Sequence, residues 1–412
     1  HFFNAAELWE PAFKGIFEYI EETHPNIKIT HIPTPYAEMH TKLVALVAGG
    51  TPPDLTSVPS DRAAGLWMQN VMVPLDDYMA SDPPAPREDF MPSRLQDYTF
   101  DGTLFAIPID QGSSGLYYNK RIFDEAGLDY PSTDWTYEDL RQTALQLTVD
   151  QSGKTAAESG FNPEETVQWG FQYTTSLHRM HDLLVGLGAP EYFDEEVSRC
   201  QMDSPEFVEA LQWLIDLRCK DHVSPTAEQT QALAAAAGEV FPFGLGNYAM
   251  EFTWVGMVSA LHKPGTKIGN DWDVTWLPKG EKLSAISSGQ GFPIVNGSQH
   301  PDEAWEVIKT FVSEPVMKML GENGAWLPAR LSLAHYGQPA DGIPEHYLEA
   351  FVDPLREHGF SPYWYVPGWD EAEAAIRAEI EPAWRCARTA QEAVNAFIDA
   401  ANQFAQERPR KS

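Results

Sequence analysis

Polar and aromatic side chains suited to ligand binding follow two of the predicted strands. Asp61 and Arg62 come directly after a predicted strand at 54–58, and Trp254 follows a second one at 241–252. In an open α/β sheet the ligand lies beyond the carboxyl ends of the strands, so these loops are the first candidates. Asp and Arg can make paired, charge-assisted hydrogen bonds to ligand hydroxyl groups, and an aromatic ring can cover apolar faces of a ligand. These residue types therefore indicate noncovalent binding.

The stretch 363–369 is the densest aromatic group in the chain. Its rings are Tyr363, Trp364, Tyr365 and Trp369. Aromatic rings combined with a few polar groups are typical of pockets that bind small molecules.

The sequence lacks the motifs of the common catalytic classes. It contains no GxSxG elbow, no HExxH helix, no P-loop and no GxGxxG turn. Its 60 Asp and Glu residues could supply the two carboxylates of a glycosidase, but abundance does not bring two of them together. We expect a protein that is not an enzyme and needs no cofactor, with a glycoside hydrolase as a remote alternative.

His178 and His181 are three residues apart and Asp182 follows them, a grouping that could bind a metal. A zinc site takes three or four protein ligands, and no further one lies at metal spacing. We therefore predict no metal site.

The acidic composition excludes several classes of partner. The formal net charge is −32, and the only basic cluster, at 408–411, is interpreted as a frayed tail. Such a charge repels nucleic acid and anionic membrane surfaces and favours a monomer. No apolar run approaches the roughly 18 residues of a membrane span. A chain of 412 residues with 43% hydrophobic content is expected to form two lobes.

The three cysteines, Cys200, Cys219 and Cys386, leave two alternatives open. Cys200 precedes a predicted helix that ends at Cys219, so these two could form a disulfide in an oxidising compartment. They could equally be small buried apolar residues.

Helices and strands alternate in the first part of the chain, which predicts a parallel sheet covered by helices. Such a lobe opens with a strand, and His1 lies where that strand should end, so we expect the given sequence to begin inside it. Helices are predicted at 10–24, 36–48, 136–147, 204–219, 229–239, 301–312 and 389–407, and strands at 27–32, 54–58, 241–252, 272–277 and 291–295.

The stretch 101–123 contains two β-like runs separated by a polar, glycine-bearing break at 110–115. This pattern indicates a strand that leaves one sheet and enters another. We expect it to be a crossing between the two lobes.

The order of several short phrases resembles the extracellular solute-binding proteins that feed ABC importers, in the branch with maltose- and glycerol-3-phosphate-binding proteins. Each phrase is weak alone, but their order and spacing span nearly the whole chain. They are Ile27-Lys28-Ile29, Lys42-Leu43, Gly50-Thr51-Pro52-Pro53-Asp54, Asp101-Gly102 to Pro108, Tyr117-Tyr118-Asn119-Lys120, Phe123 to Leu128, Tyr248-Ala249-Met250, Ala304-Trp305 and Leu327-Pro328-Ala329-Arg330.

The resemblance implies a two-lobed α/β fold of the periplasmic-binding-protein type (type II), hinged and with discontinuous lobes. The N-terminal lobe would comprise 1–110 and 290–314, and the C-terminal lobe 111–289 and 315–412. A second crossing would lie at 288–291, and a third after the helix that ends near Ser313. Permease subunits would be partners, and the location would be extracellular or periplasmic, with a lipid anchor on a removed N-terminus as an open alternative.

The resemblance also implies ligand contacts, each with ordinary packing or capping as the alternative. Asp61 and Arg62 match an Asp-Arg sugar clamp, whereas Val58 stands where the maltose pattern has Trp. Gly112 stands where that pattern has a carboxylate, so its neighbours would have to serve. Trp254 would be an aromatic platform, and Arg330 would hold an anionic ligand or cap a carboxylate. The remaining implied contacts are Tyr36, Asp110, Gln111, Ser113, Ser176, His178, Arg179, Gly289, Gln290, Trp364, Tyr365 and Trp369.

The ligand is predicted to be a carbohydrate, either a mono- or oligosaccharide or a glycoside. The 13 tryptophans favour apolar sugar faces, and the net charge argues mildly against an anion. Glycerol 3-phosphate or a glycerophosphodiester is the alternative within the family.

Overall fold

The computed structural model describes residues 1–237, 242–261, 265–322, 327–337, 344, 346–362 and 366–408, without the side chains of 4–12, 36–37, 234, 236–237, 259 and 370. The α-helices are α1 (Ala6–Thr23), α2 (Tyr36–Ala48), α3 (Ser60–Met68), α4 (Asp76–Ser81), α5 (Pro92–Gln96), α6 (Lys120–Ala126), α7 (Tyr137–Leu147), α8 (Leu177–Gly186), α9 (Pro205–Cys219), α10 (Ala227–Ala237), α11 (Met257–Leu261), α12 (Pro301–Phe311), α13 (Glu314–Glu322), α14 (Tyr347–His358), α15 (Trp369–Trp384) and α16 (Ala390–Glu407). The strands are β1 (Phe2–Ala5), β2 (His31–Thr34), β3 (Leu55–Thr56), β4 (Val58–Pro59), β5 (Thr99–Phe100), β6 (Thr103–Leu104), β7 (Ile107–Pro108), β8 (Asp110–Gln111), β9 (Ser114–Asn119), β10 (Val149–Asp150), β11 (Thr166–Tyr173), β12 (Tyr248–Trp254), β13 (Trp272–Thr275), β14 (Ala285–Ile286), β15 (Gln290–Phe292), β16 (Leu327–Pro328) and β17 (Gly359–Phe360).

The first lobe is built on a parallel sheet with the strand order β2-β1-β3. The prediction that the opening strand ends at His1 was wrong, because that strand runs over Phe2–Ala5 and pairs on both sides. A second small sheet, with the order β4-β15-β7, is antiparallel. We call this body the N-terminal lobe.

The second body is built on a five-stranded mixed sheet with the order β10-β11-β12-β9-β13. β11 and β12 are parallel, whereas β9 runs antiparallel to both of its neighbours. We call this body the C-terminal lobe.

Among the side chains that the structure describes, the buried hydrophobic ones form three clusters. One belongs to the N-terminal lobe and extends through α12 and α13 to Leu333. The other two lie on opposite faces of the five-stranded sheet, because Tyr118 belongs to one and Tyr117 to the other, and successive side chains of a strand alternate in direction. No helix among the described residues is long and apolar enough to cross a membrane.

The predicted helices at 136–147, 204–219 and 389–407 are present, and each begins at a capping residue. Thr136 and Asp139 form a capping box at the start of α7, and the Ser204 hydroxyl accepts the Phe207 backbone N–H at the start of α9. Thr389 and Glu392 form a capping box at the start of α16. Helix α2 has the predicted bounds.

The strand predicted at 27–32 was wrong in position. The backbone N–H of Ile29 donates to the Glu21 carboxylate at 2.9 Å, and pairing with β1 begins only at His31. The predicted strand at 54–58 is also divided, since Leu55 pairs with β1 and Val58 pairs with β15.

The structure pairs Cys219 with Cys386, so the predicted Cys200–Cys219 alternative was wrong. Cys200 is a buried free thiol, which agrees with the second alternative for that residue. The disulfide joins the end of α9 to the turn after α15. Spacing along the chain could not reveal this pair, because 167 residues separate the partners.

We expect the Cys219–Cys386 disulfide to leave one titratable thiol per chain under denaturing, non-reducing conditions. The variant Cys219→Ser/Cys386→Ser should lose about 2–4 kcal/mol of unfolding free energy in urea titrations, because an unlinked chain gains loop entropy on unfolding. The control Cys200→Ser should abolish the thiol signal and keep the disulfide. Three reactive thiols in the wild type would contradict the pairing.

Candidate ligand-binding cleft

The chain passes from the N-terminal to the C-terminal lobe between β7 and β9. β7 pairs with β15 in the first body, whereas β9 is an inner strand of the five-stranded sheet. β8, which lies between them, pairs with β16. The strand therefore leaves one sheet and enters another, as the break at 110–115 predicted.

A second passage runs beside the first in the opposite direction. Ser288 forms an isolated antiparallel bridge with Gly112, and β15 begins two residues later at Gln290. The predicted crossing at 288–291 is therefore present. A third segment, β16, lies against β8 in antiparallel pairing.

The strand ends that carry predicted contacts converge on these passages. β11 and β12 are parallel neighbours, so their carboxyl ends, Tyr173 and Trp254, lie at one edge of the sheet. β9 begins at this edge, because Trp254 pairs with Ser114. In the N-terminal lobe, the Ser60 backbone N–H donates to the Gly289 carbonyl at 3.1 Å, which brings the start of α3 to the second passage. We call this region the candidate cleft.

A buried arginine from α5 binds both passages. The Arg94 side chain is fully buried, and its Nε donates to the Asp110 carbonyl at 3.0 Å. One Nη donates to the Gln290 carbonyl at 3.3 Å and to the Tyr98 hydroxyl at 3.2 Å. The other Nη forms an ion pair with Asp97. Arg94 therefore joins the two passages through their backbone carbonyls.

Asp97 extends this network to the segment that follows β17. Its carboxylate accepts hydrogen bonds from the hydroxyls of Ser287 at 3.1 Å and Ser361 at 2.5 Å, besides the bond from Arg94. Burial raises the pKa of Asp97 to about 6, although Arg94 and the two hydroxyls favour the carboxylate. Asp97 is thus held at the junction of α5, the second passage and the segment after β17.

Asp110 lies inside the junction. Its carboxylate accepts the Gln290 backbone N–H, and burial raises its pKa to about 7 against the charge of Arg94. Gly289 has a φ of +145°, and a Cβ there would lie 2.5 Å from the Asp110 Oδ1. Only glycine therefore fits between these passages. The structure gives Asp110 and Gly289 roles in the junction, and their contact with ligand stays a prediction.

Gln111 and Ser113 are also buried in the passage. The Gln111 amide donates to the Pro328 carbonyl at 2.7 Å, while its Oε1 is buried without a hydrogen-bond partner. The Ser113 hydroxyl donates to the Phe351 carbonyl at 3.0 Å. Both side chains connect the first passage to the C-terminal part of the chain.

The predicted contacts of the N-terminal lobe lie at the candidate cleft. Asp61 and Arg62 occupy the first turn of α3 and are 3.9 Å apart as an ion pair, each a little over one third exposed. Gln290 is partly buried and pairs with Pro59. Tyr36 is the first residue of α2, but its side chain is outside the described residues.

The predicted contacts at the start of α8 lie at the edge formed by β11 and β12. Ser176 is the N-cap position, and its hydroxyl makes no capping bond. Withdrawal of His178 from water lowers its pKa to about 3, and the charges of Arg179, His181 and Arg94 act in the same direction. The His178 imidazole is therefore neutral at physiological pH.

His181 contacts two carboxylates. Its two ring nitrogens lie 3.2 Å from Asp182 and 2.6 Å from Glu191. Burial alone would lower the pKa of His181, but these carboxylates raise it to about 9. In the part of the chain that the structure describes, no group of three or more His, Cys, Asp or Glu side chains is placed to hold a metal ion.

Trp254 ends β12 and contacts two neighbours. A Cβ on Gly256 would lie 2.3 Å from the indole Cζ2 and Cη2 and 2.6 Å from Cζ3, so Gly256 packs closely against the six-membered ring of the indole. The Arg179 guanidinium carbon lies over the ring, 5.0 Å from its centroid. The predicted platform is therefore already in contact with a glycine and a cation.

Two predicted contacts lie elsewhere. The Arg330 Nε donates to Asp89 at 2.8 Å and one Nη donates to the Val312 carbonyl at 2.9 Å, so Arg330 holds a carboxylate and the anionic-ligand alternative is not supported. Trp369 is 2% exposed and packs edge-to-face on Phe193, so its prediction as a ligand platform was wrong. Trp364 and Tyr365 lie outside the described residues.

Two surface cavities lie away from the passages. One of about 330 Å³ is lined by His1, Asp54 and His300, among others. The other, of about 490 Å³, lies between Trp276 and the start of α14. Neither cavity is lined by a predicted site residue, so geometry at the strand ends, and not cavity size, defines the candidate cleft.

Comparison with known proteins identifies the family. The model of the bacterial extracellular solute-binding proteins matches residues 6–318, which is more than half of the chain. The chain belongs to this family.

A curated relative of this solute-binding protein is an arabinooligosaccharide-binding protein from Halalkalibacterium halodurans. The two are 29% identical over 289 residues, which cover 68% of this chain and 59% of that protein. The match therefore spans less than two thirds of the relative's length.

Solved structures confirm the two-lobed fold. The sugar-binding protein MalE from Xanthomonas citri has a TM-score of 0.80 at 19% identity, covering 99% of this chain and 97% of that one. An ABC substrate-binding protein from Listeria monocytogenes, in complex with cycloalternan, has a TM-score of 0.77 at 21% identity, with coverage of 98% and 97%. The predicted fold class is therefore correct.

Sequence reasoning missed the residues that organise the junction of this solute-binding protein. Arg94, Asp97 and Tyr98 lie in and after a five-residue helix that no sequence pattern singled out. Ser361 precedes the aromatic stretch, and no pattern distinguishes it in the sequence. An Arg-x-x-Asp spacing puts both side chains on one helical face, but the same spacing is common on exposed helices. Only the burial of Arg94 and Asp97 distinguishes this pair from an exposed one.

We expect Arg94→Leu to lower the free energy of unfolding by roughly 3–5 kcal/mol, because it leaves buried carboxylates without their cation. Urea unfolding of Arg94→Leu, Asp97→Leu and the double variant should show a double-variant loss smaller than the sum of the single losses. Arg199→Leu removes an exposed pair with Asp203 and should change stability by about 0–1 kcal/mol. Equal losses for Arg94→Leu and Arg199→Leu would contradict the proposed dependence on Arg94.

We expect the contribution of Asp110 to stability to fall as pH rises from about 4 to about 7. The folded carboxyl has a pKa of about 7 and the reference value is 3.8, so the folded state binds more protons in this window. The unfolding free energy of the wild type minus that of Asp110→Asn should therefore decrease across it. Asp399→Asn, on the exposed face of α16, serves as the charge-matched control. A difference that increases with pH would overturn the assignment.

Proposed function

We propose that this solute-binding protein is the substrate-binding component of an ABC importer and captures a carbohydrate between its lobes. The observation that carries the proposal is the convergence of the strand ends of both lobes on adjacent passages of the chain. The N-terminal lobe contributes Asp61 and Arg62 to the candidate cleft, and the C-terminal lobe contributes Arg179 and Trp254. Charged hydrogen-bonding groups with an aromatic ring suit a sugar ligand.

The relatives support the carbohydrate class. The names of related proteins include arabinooligosaccharide- and maltotriose-binding proteins, and related structures contain cycloalternan, acarbose or maltotriose. Bound sugar would be transferred to permease subunits without being chemically changed. Glycerol 3-phosphate or a glycerophosphodiester stays the alternative ligand, and a monomer outside the cell or in the periplasm, with or without a lipid anchor, is the expected form.

Lobe boundaries near 110 and 290 are part of the proposal, because the first two passages lie there. The third boundary is better placed at 327–334 than at 314, because Ala329 and Leu333 belong to the N-terminal core whereas Leu327 and Ala334 belong to a C-terminal cluster. Helix α13 packs in the core of the N-terminal lobe through Val316 and Leu320, and β16 follows it. Closure would then bend three adjacent segments, as expected for a hinge built of a few residues.

Binding and closure can be measured together. Isothermal titration against arabino-, malto- and manno-oligosaccharides and glycerol 3-phosphate should find a saturable sugar ligand, and X-ray scattering should show a smaller radius of gyration with it. Arg62→Ala should weaken sugar binding about 10- to 100-fold if Arg62 bonds a ligand hydroxyl. Arg199→Ala, on an exposed part of the C-terminal lobe, should leave affinity unchanged.

Two outcomes would overturn this function. One is the absence of sugar binding across the panel together with saturable binding of glycerol 3-phosphate. The other is release of hydrolysis products from any oligosaccharide in the panel, which would revive the glycosidase alternative.

A further inference from the structure

The arginine at the end of α9 is buried in a different way from Arg94. The Arg218 side chain is 5% exposed, and its Nε is buried without a hydrogen-bond partner. In the part of the chain that the structure describes, its guanidinium makes no hydrogen bond and no ion pair. A buried guanidinium without a counter-charge is unfavourable, so the surroundings of Arg218 must be examined for a group that could supply one.

Two aromatic rings hold the Arg218 guanidinium in place. Its central carbon lies over the Tyr173 ring at 5.3 Å and over the Trp384 ring at 5.8 Å from the centroids. The Cys219–Cys386 disulfide joins the next residue to the turn after Trp384 and so holds α9 against the end of α15. Cation–π contact uses the flat face of a guanidinium, whereas its N–H donors lie in its plane and still require acceptors.

A small cavity adjoins this guanidinium. Its volume is about 40 Å³, and it lies between the end of α9, the start of α10 and the short turn Pro163–Glu165. A water molecule needs roughly 10–15 Å³ of such space, so a small ion and about one water molecule can be accommodated. Because Nε is enclosed, the Nη groups of Arg218 are the ones that can reach the cavity. None of its lining residues is a predicted ligand contact, so the cavity is separate from the candidate cleft.

The start of α10 keeps its own polar groups occupied. The Gln229 Oε1 accepts the Thr226 backbone N–H at 2.9 Å, and the Thr226 hydroxyl accepts the Gln229 backbone N–H at 3.2 Å. His222 also lines the cavity, and among the described residues its imidazole makes no hydrogen bond or ion pair. An imidazole carries at least one N–H in either protonation state. Arg218 and His222 are therefore the side chains with donors to offer to an ion in the cavity.

Carboxylates near the cavity restrict the charge of such an ion. Glu164 lines the cavity and is exposed. The pKa of Glu228 is lowered mainly by a hydrogen bond from its own backbone N–H. The charges of Arg385 and Arg218 lower it further, so this carboxylate lies within electrostatic range of the site. Repulsion by a carboxylate is twice as large for a dianion as for a monoanion at the same distance. A small monoanion therefore suits the cavity better than sulfate or phosphate.

We infer that Arg218, His222 and the cavity beside them form a binding site for a small inorganic monoanion of the size of chloride. The bound ion supplies the counter-charge of the buried guanidinium and bonds to its Nη groups and to the imidazole. Because the ion binds the folded lobe and not the unfolded chain, it stabilises the protein in proportion to its concentration. The inference does not depend on the proposed function, since the site lies outside the candidate cleft.

Thermal unfolding of the full chain without sugar tests the inference. Sodium concentration and ionic strength are held constant while gluconate, a monoanion too large for this cavity, is replaced stepwise by chloride. The Tm of the wild type should rise by about 1–3 °C and then level off, because binding to the folded state alone is saturable. Bromide should act like chloride. No difference between chloride and gluconate would overturn the inference.

Variants assign the effect to the cavity. Arg218→Gln should lose the saturable rise of Tm with chloride, and any change common to the variant and the wild type is a general salt effect. Arg199→Gln, which removes an exposed arginine, is the matched control and should keep the full rise. An equal rise in Arg218→Gln and the wild type would overturn the site.

A second variant keeps the inference testable where Arg218→Gln does not fold. His222 is only partly buried, so His222→Ala is expected to fold. The chloride concentration at half of the Tm rise should increase about 10-fold in His222→Ala, because a hydrogen bond to a charged group is lost. An unchanged half-point would overturn the role of His222 and, with it, the proposed site.

Anomalous diffraction from crystals grown in sodium bromide locates the ion. A bromide peak in contact with the Arg218 Nη groups, together with the saturable rise of Tm, supports the inference. A peak there without any rise of Tm identifies an adventitious ion only and overturns it. A rise of Tm with bromide bound elsewhere and none at Arg218 also overturns it.

Discussion

A single buried cation constrains the junction of the two lobes. Arg94 lies in the interior, where an uncompensated guanidinium would be strongly unfavourable, so its partners must be held around it. Those partners are a carboxylate in its own lobe and the backbone carbonyls of both passages. The need to satisfy one charge therefore holds two strands of opposite direction side by side.

This constraint explains the polar character of the passages. Asp110 is surrounded by the Gln290 N–H, Arg94 and a glycine that leaves no room for a side chain. Asp97 is bonded to serines from two further segments. Such a network has few alternative arrangements, because each group would lose a partner if one strand slipped. The junction is consequently rigid in register, and any bending must occur through backbone rotation near it.

The candidate cleft follows from this junction. Because β9 begins at the first passage, the edge of the C-terminal sheet that carries Trp254 and α8 must lie beside it. Because Ser60 bonds to Gly289, the start of α3 lies there as well. Residues separated by more than a hundred positions are thereby brought to one region, and the chemistry of that region includes both signs of charge and an indole.

Local patterns were sufficient where the deciding interaction is itself local. The ranges of α7 and α16, the bounds of α2 and the change of sheet at 110–115 could be predicted, since neighbouring residues supply the helix caps and the break in pattern. The strand predicted at 27–32 failed because Glu21, eight residues away, binds the Ile29 N–H. Strand pairing depends on a partner that periodicity does not identify.

The candidate cleft shows the same difference between what local sequence predicts and what long-range contacts decide. Asp61, Arg62 and Trp254 could be selected because they follow strands, but the environment of each ring could not: Trp369 packs in the core, whereas Trp254 carries Arg179. The sequence does not distinguish these two environments of an aromatic residue. Only its neighbours in the fold decide whether its face is buried, covered by a cation or open.

The amino-acid sequence by itself determined the acidic composition, several helix ends and the first crossing, because these depend on composition and on short-range order, and the order of its short phrases indicated the fold through resemblance to a family. The tertiary structure alone decided the Cys219–Cys386 bond, the burial of Arg94 and the cation placed on Trp254. Each of these is a contact between distant parts of the chain, and its energy depends on a distance and on exclusion from water that no local pattern records.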